Sequence, residues 1–238
     1  MRDTKRPIAE HFNELRWRLS IVVLGVLIGA GVSVAFFRQL VAVLIRPAED
    51  HLSVTGGPVF TEVTELLGVT VKVAILGGLV LALPLLIYQI MRFVAPGLTR
   101  KEFRYALLIL PGSLVSFAAG VSFAYFILLP PILVFLLTFG GDIAVPMIRI
   151  GNYINLVVTL LFWMGVVFET PLIMFTLAKV GIIQANTFAK GRRLAVVVAF
   201  LLGAIITPTF DPVNQTLVAL PLIFLYEIGI WMAKLARR

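Results

Sequence analysis

Apolar residues fall into six long runs separated by short polar connectors, without the apolar/polar alternation of a barrel strand. In hydrocarbon every backbone N–H and C=O must be satisfied within its own segment, so runs of this length predict transmembrane helices. The predicted helices cover about 19–37, 66–90, 105–129, 153–178, 194–207 and 216–232. No connector is long enough to hold an enzyme domain. The expected fold class is an all-α membrane protein of six transmembrane helices forming one domain, 1–238.

The last two helices are expected to be short. At 1.5 Å per residue, fourteen residues reach roughly 21 Å and seventeen roughly 26 Å, against a hydrocarbon core of about 30 Å. They are joined by TPTFDPVNQ (207–215). Either the bilayer thins beside them, or Asp211, Asn214 and Gln215 sit below the interface, or these bounds are misplaced. Upstream, segment 38–65 carries Pro47, Gly56, Gly57 and Pro58 with Glu49, Asp50, Glu62 and Glu65, and is expected to fold as an external cap. Pro130 and Pro131 are expected to end or kink the third helix, whose continuation LLTFGGD extends above the membrane. The start, PIAEHFNELRWRL, reads as a cytoplasmic amphipathic helix over 1–18, with Ile8, Phe12, Leu15 and Leu19 on one face. The first apolar run is too long for a cleavable signal and leads into no small-residue cleavage site.

Composition agrees with the pattern: 60% hydrophobic, 13% charged, mean hydropathy +1.04. Charge adds orientation. With the N-terminus cytoplasmic, sixteen Lys and Arg fall on that side, three (Arg38, Arg46, Arg149) on the other, and Lys72 within a span. The positive-inside rule then puts both termini in the cytoplasm. The net charge of +8 is thus an orientation device suited to anionic membrane lipids, not a sign of nucleic acid. There is no cysteine, and His11 and His51 lie far apart, so no thiolate or histidine metal centre is expected.

Several polar residues need a reason. Glu169 lies deep in the fourth helix, followed by Thr170 and Pro171, so the helix should kink beside its carboxyl group. Such a residue either bonds to a neighbouring helix structurally or serves a functional cavity. Lys72 is read as snorkelling to headgroups, and Glu227 as meeting Lys234 or the interface. Glu14 and Arg18 have the spacing of a helical ion pair. Thr99 and Glu102, in the first cytoplasmic loop (92–104), have the T-x-x-E spacing of a capping box. Glu14 and Glu102 are also carboxylates in a strongly basic surface, where a guanidinium binds through a planar fork.

With HFNELRWRL (11–19), RFVAPGLTRKE (92–102), FAYF (123–126), FETP (168–171) and TPTFDPVNQ (207–215) in one order, the chain resembles the TatC family, polytopic core subunits of the twin-arginine protein translocase. The resemblance implies a cup-shaped bundle in a bacterial or archaeal cytoplasmic membrane. It implies that twin-arginine signal peptides of folded cargo bind at the cytoplasmic face, with Glu14 and Glu102 as acidic positions and Arg16, Phe93, Pro96 and Leu98 as neighbouring motif positions. Glu169 matches the family's membrane-embedded glutamate, facing a concave groove. Pro47 and Tyr125 match positions that shape the cap and the third helix. Thr207, Asp211 and Gln215 resemble the region that docks single-span TatA- or TatB-type subunits. The chain departs from many relatives at Leu66 and Leu67, where an aromatic residue is expected, which bears on cap packing.

The resemblance further implies a homo-oligomer within a larger complex, driven by the proton gradient, with no catalytic site and no cofactor. The rival reading is an ion-coupled small-molecule transporter using Glu169 as a proton relay.

Overall fold

The amphipathic start and the first apolar run form a single helix, α1 (Ile8–Ala35). No glycine or proline interrupts 8–24, so nothing ends a helix at the expected boundary near residue 18. Phe12, Leu15 and Leu19 are exposed, so the apolar face of this start is turned away from the protein. The computed structural model describes residues 8–52, 58–94, 100–139, 147–207 and 211–236, with the side chains at 8–11, 49–52, 94 and 100–109 outside that description.

The chain continues through α2 (Phe37–Leu52), α3 (Glu65–Val94), α4 (Arg100–Phe123), a π-helical turn (Ala124–Leu128), α5 (Leu129–Thr138), α6 (Ile150–Phe168), α7 (Thr170–Lys179), α8 (Ala185–Lys190), α9 (Arg192–Ile206) and α10 (Pro212–Leu235). Among the described residues the only ladder-type pairing is one isolated parallel bridge. Five helical runs are long and apolar enough to cross a membrane: Phe12–Ala35, Glu65–Phe93, Leu110–Thr138, Ile150–Lys179 and Pro212–Leu235.

One expectation is narrowed here, since of the two alternatives for Pro130 and Pro131 only an ended helix is ruled out, and another is corrected. Pro130 and Pro131 do not end the third run, which continues to Thr138. They occupy the first turn of α5, where a missing N–H costs least. The irregularity lies just before them, where the Leu129 N–H reaches back five residues to the Ala124 carbonyl. The last helix is not short either: α10 has 24 residues, about 36 Å of rise, because Asp211 and Pro212 start it four residues before the expected bound. Only α9, with 15 residues and about 22 Å, falls below the span of a bilayer core.

The core gathers around α6 and α10. Ile154, Val157, Leu160 and Met164 of α6 are completely buried, as are Val218, Ala219, Ile230 and Ala233 of α10. Helix α1 lies at the edge and packs antiparallel along α3. Glycine permits that approach: a Cβ on Gly29 would sit 2.8 Å from the Gly78 carbonyl oxygen, and one on Gly78 would sit 2.5 Å from that of Val26.

The segment expected as the cap comprises α2 and residues 58–64. Val59 exchanges backbone hydrogen bonds of 2.9 Å with Ile148 and Ile150, which pins this segment to the start of α6. Arg149 Nη2 donates to Glu62 at 2.8 Å and lies 3.5 Å from Glu65. The hydrogen bond to Glu62, then the charge of Glu65, hold the Arg149 guanidinium above its ordinary value. Glu65 in turn accepts the Gly151 N–H at 2.8 Å and the Thr61 N–H at 2.9 Å.

Candidate functional site

Two of the polar positions singled out in the sequence, Glu14 and Arg18, meet the Gln89 side chain at the end of the bundle where α1 begins and α3 ends. Arg18 donates from Nε to Glu14 Oε1 at 3.1 Å and from Nη2 to the same oxygen, while Nη1 donates to Gln89 Oε1 at 3.1 Å. The side chains of Arg18 and Glu14 are only 14% and 23% exposed, so the pair is largely withdrawn from solvent. Phe93, half-buried, stands in the last turn of α3, and Arg16 is exposed on α1. The backbone of Glu102 lies in the first turn of α4, but its side chain, Pro96, Leu98 and the Thr99 capping position lie outside the described residues.

The second site lies in the middle of the bundle. Helix α6 stops at Phe168 and α7 starts at Thr170, so the break falls on Glu169, beside the proline that cannot continue the ladder. Two serines of α4 hold this break: the Ser113 hydroxyl lies 2.5 Å from Glu169 Oε2, and Ser116 donates to the Phe168 carbonyl at 2.6 Å. Gly120 lets α4 and α6 come this close, because a Cβ there would sit 2.5 Å from the Met164 carbonyl. Glu169 Oε1 is buried with no partner among the described residues. It borders a cavity of about 450 Å³ whose walls include Leu83, Ile87, Phe117, Phe162 and Leu172. A carboxyl group with one satisfied oxygen in an apolar cavity offers a hydrogen-bonding point to an entering polar group.

The two positions linked to cap shape form one physical unit. Pro47 lies inside α2 and has no N–H, which frees the carbonyl four residues back, that of Val43. Tyr125 supplies the missing donor, its hydroxyl bonding the Val43 carbonyl at 2.7 Å. Tyr153 donates to the Leu44 carbonyl, also at 2.7 Å, so α2 is fastened to the π-helical turn and to α6.

At the α9–α10 turn the candidate residues are engaged within the chain. Thr207 is buried and donates to the Gly203 carbonyl at 2.8 Å. Asp211 caps α10, accepting from Asn214 N at 2.7 Å and Nδ2 at 3.0 Å. Gln215 Nε2 donates to the Phe200 carbonyl at 2.8 Å, which ties α10 to α9.

A family model described as Sec-independent protein translocase protein (TatC) matches residues 10–221. The chain belongs to the TatC family. A TatC protein of Carboxydothermus hydrogenoformans is 38% identical over 234 residues, covering 98% of this chain and 95% of the relative. One of Aquifex aeolicus is 38% identical over 239 residues, covering 98% and 96%. A crystal structure of the twin-arginine translocase receptor TatC superposes with a TM-score of 0.85 at 37% identity, covering 96% of this chain and 100% of that one. The chain is therefore a polytopic membrane protein from a family of protein translocase components.

Within this TatC-family frame, two further expectations change. Lys72 donates to Asn155 on α6 at 3.0 Å, so its partner is a neighbouring helix and not only the headgroups. Glu227 pairs with Arg192, at 2.6 and 2.9 Å, in place of Lys234. Two serines of the Glu169 site escaped the sequence reading. Ser113 and Ser116 looked like ordinary small residues of a span, although their i,i+3 spacing puts both on one face. Asn214, read from the sequence only as part of the polar turn, is fully buried, with Oδ1 lacking a partner among the described residues.

Proposed function

We propose that this chain is the signal-peptide receptor and core scaffold of a twin-arginine translocase, with six spans and both termini in the cytoplasm of a bacterial or archaeal cell. The whole of 1–238 acts as one membrane domain, with α9 as the fifth and shortest span. Glu14 and Glu102 recognise the arginine pair of a folded cargo's signal peptide, with Arg16, Phe93, Pro96 and Leu98 shaping the surface around them. Glu169 offers its cavity-facing carboxyl oxygen to a polar group on the inserted peptide or a partner helix. Thr207, Asp211 and Gln215 mark the face where single-span TatA- or TatB-type subunits dock. The complex holds several copies of this chain, contacts membrane lipids and runs on the proton gradient.

The observation that carries this reading is Glu14 already holding a guanidinium, that of Arg18, at a protected position against α3. A site that accepts one arginine side chain has the charge and hydrogen-bond geometry to accept another. Lysine, a compact ammonium without a fork, is discriminated against by the same geometry.

Site-specific photocrosslinking from positions beside Glu14 and Glu102 tests it, using an Arg-Arg signal peptide and its Lys-Lys twin in membranes containing this protein. Crosslinks are expected to require Arg-Arg and to fade with Glu102→Gln more than with Glu10→Gln. Equal crosslinking to both peptides, or none, overturns the recognition site and favours proton-coupled transport through Glu169.

A further inference from the structure

Lys72 and Asn155 form a polar pair on the outside of the bundle, where α3 and α6 run side by side. Both are exposed, and both belong to runs long and apolar enough to cross a membrane. An ammonium can only donate, so the 3.0 Å bond from Lys72 Nζ to Asn155 Oδ1 fixes the amide with its NH2 turned away from Lys72. Nζ keeps further protons and Nδ2 has no partner among the described residues, so the pair offers hydrogen-bond donors and a positive charge. No carboxylate among the described residues pairs with Lys72. Glu65, the acid of α3, is taken up by Arg149 and by the Gly151 and Thr61 N–H groups. Below the pair, the same helix faces lead into the cavity of about 450 Å³ that borders Glu169. Leu79 follows Lys72 by seven residues and Phe162 follows Asn155 by seven, which keeps each on its partner's face two turns further along, and both line the cavity. Apart from Ser113, Glu169 and Thr176, its lining is apolar.

We propose that Lys72 and Asn155 bind the phosphodiester of a membrane phospholipid, one acyl chain of which runs down between α3 and α6 into the cavity. Depth favours this occupant. The run Glu65–Phe93 has 29 residues, about 43 Å of rise against a hydrocarbon core of about 30 Å, so several Å project at each end. Lys72, about 10 Å from the start of that run, then lies only a few Å below the interface, within reach of its four-methylene stem. The anion that every phospholipid carries at this level is its phosphate, and basic sites between transmembrane helices suit such headgroups. One leaflet of hydrocarbon is about 15 Å deep, so a chain anchored here passes the roughly 10 Å to Leu79 and Phe162 and ends inside the cavity. It stops short of Glu169, which lies 14 residues or about 21 Å beyond Asn155. This lipid site does not depend on the receptor reading; where both hold, an entering peptide must displace the chain.

The test places the full chain in nanodiscs doped with a phospholipid that carries a diazirine at the end of one acyl chain, and maps the labelled residues by mass spectrometry after illumination. Label on the cavity walls Leu83, Phe117 and Phe162 is expected to exceed label on Leu27 and Ile28, which are exposed on α1 beside the Gly29–Gly78 crossing. A diacylglycerol probe with the same chain and no phosphate should label the cavity about tenfold less, the loss expected for one charge-assisted contact. Lys72→Gln should lower the phospholipid's cavity label by a similar factor and leave the α1 label unchanged, while Lys72→Arg, which keeps charge and donors, retains most of it. Cavity label no higher than that of α1, or equal labelling by the two probes, overturns the proposal, and both comparisons need only the parent chain. Excess inorganic phosphate, which has no acyl chain, should not compete; loss of cavity label on adding it would mean a free-anion site and overturns the lipid assignment. If Lys72 only ties α3 to α6, Lys72→Gln lowers the unfolding midpoint with cavity label intact, which also overturns it. No peptide is present in these measurements, so their outcome leaves the receptor reading of Glu14 and Glu102 untouched.

Discussion

Glu14 and Glu169 are the same side chain set to different tasks by what surrounds them. Glu14 stands near the start of an edge helix, meets a guanidinium, and is 23% exposed. Glu169 sits at a break in the most buried helical run, meets only a serine hydroxyl, and has one oxygen with no partner among the described residues. The first arrangement suits exchange of one cation for another, since the charge is compensated before and after. The second cannot hold a lone cation cheaply but can take a neutral donor from an entering helix. The contrast is one of partner chemistry more than of depth.

The largest expected effect breaks that comparison directly. Glu14→Gln should weaken Arg-Arg peptide binding about tenfold to a hundredfold, the loss expected for a desolvated charge-assisted pair. Glu169→Gln keeps hydrogen-bonding capacity and should change the same affinity by less than about threefold. Peptide titration in nanodiscs measures both, and equal losses would mean the two glutamates share one task.

Next in size, Ser113→Ala removes the hydroxyl at Glu169 and leaves a buried polar group without its partner. A loss of about 1–3 kcal/mol of stability is expected, read as a lower unfolding midpoint in detergent. In a Glu169→Leu background the same serine change should cost little, because no carboxyl remains to be satisfied. A full loss in both backgrounds would show that Ser113 acts through packing.

The contrast between the two glutamates also shows what was legible in the sequence. Glu169 and its kink could be read locally, because an acid before Thr-Pro in an apolar run is unusual in itself. Five of the six runs, the ones that form helices long and apolar enough to cross a membrane, were legible for the same reason, being set by composition and length. The serines that complete the Glu169 site lie more than fifty residues away, with |i−j| of 56 and 52. Nothing local marks Ser113 or Ser116. The same holds for Gln89, 71 residues from Arg18, and for Arg192, whose pairing with Glu227 depends on how α9 crosses α10. Local rules named the ion pair Glu14–Arg18 at i,i+4, and misplaced the partner of Glu227 by looking along its own helix.

A smaller effect comes from a neutral hydroxyl on a neutral acceptor, which sharpens the reading of Ser113. Tyr125→Phe leaves the Val43 carbonyl, freed by Pro47, without its donor, at a cost of about 1 kcal/mol. Pro47→Ala returns an N–H to α2, so the cost of Tyr125→Phe should largely vanish in that background. Unfolding midpoints of the four proteins close the cycle, and additive losses would separate Tyr125 from Pro47.

The smallest effect is expected where the charge pair is most exposed. Arg192 and Glu227 form a two-pronged pair of better geometry than Glu14–Arg18, yet their side chains are 48% and 38% exposed, against 14% and 23%. Water and salt compensate an exposed carboxylate once its partner is gone, so geometry alone does not set the worth of a pair. Arg192→Gln should therefore leave the unfolding midpoint unchanged within error, at low and high salt alike, and leave Arg-Arg peptide affinity untouched. If Arg192→Gln lowers the midpoint as far as Ser113→Ala does, solvent access is not what separates these sites. The pair at α9–α10 would then be a structural tie, and the contrast between Glu14 and Glu169 would have to rest on position in the bundle.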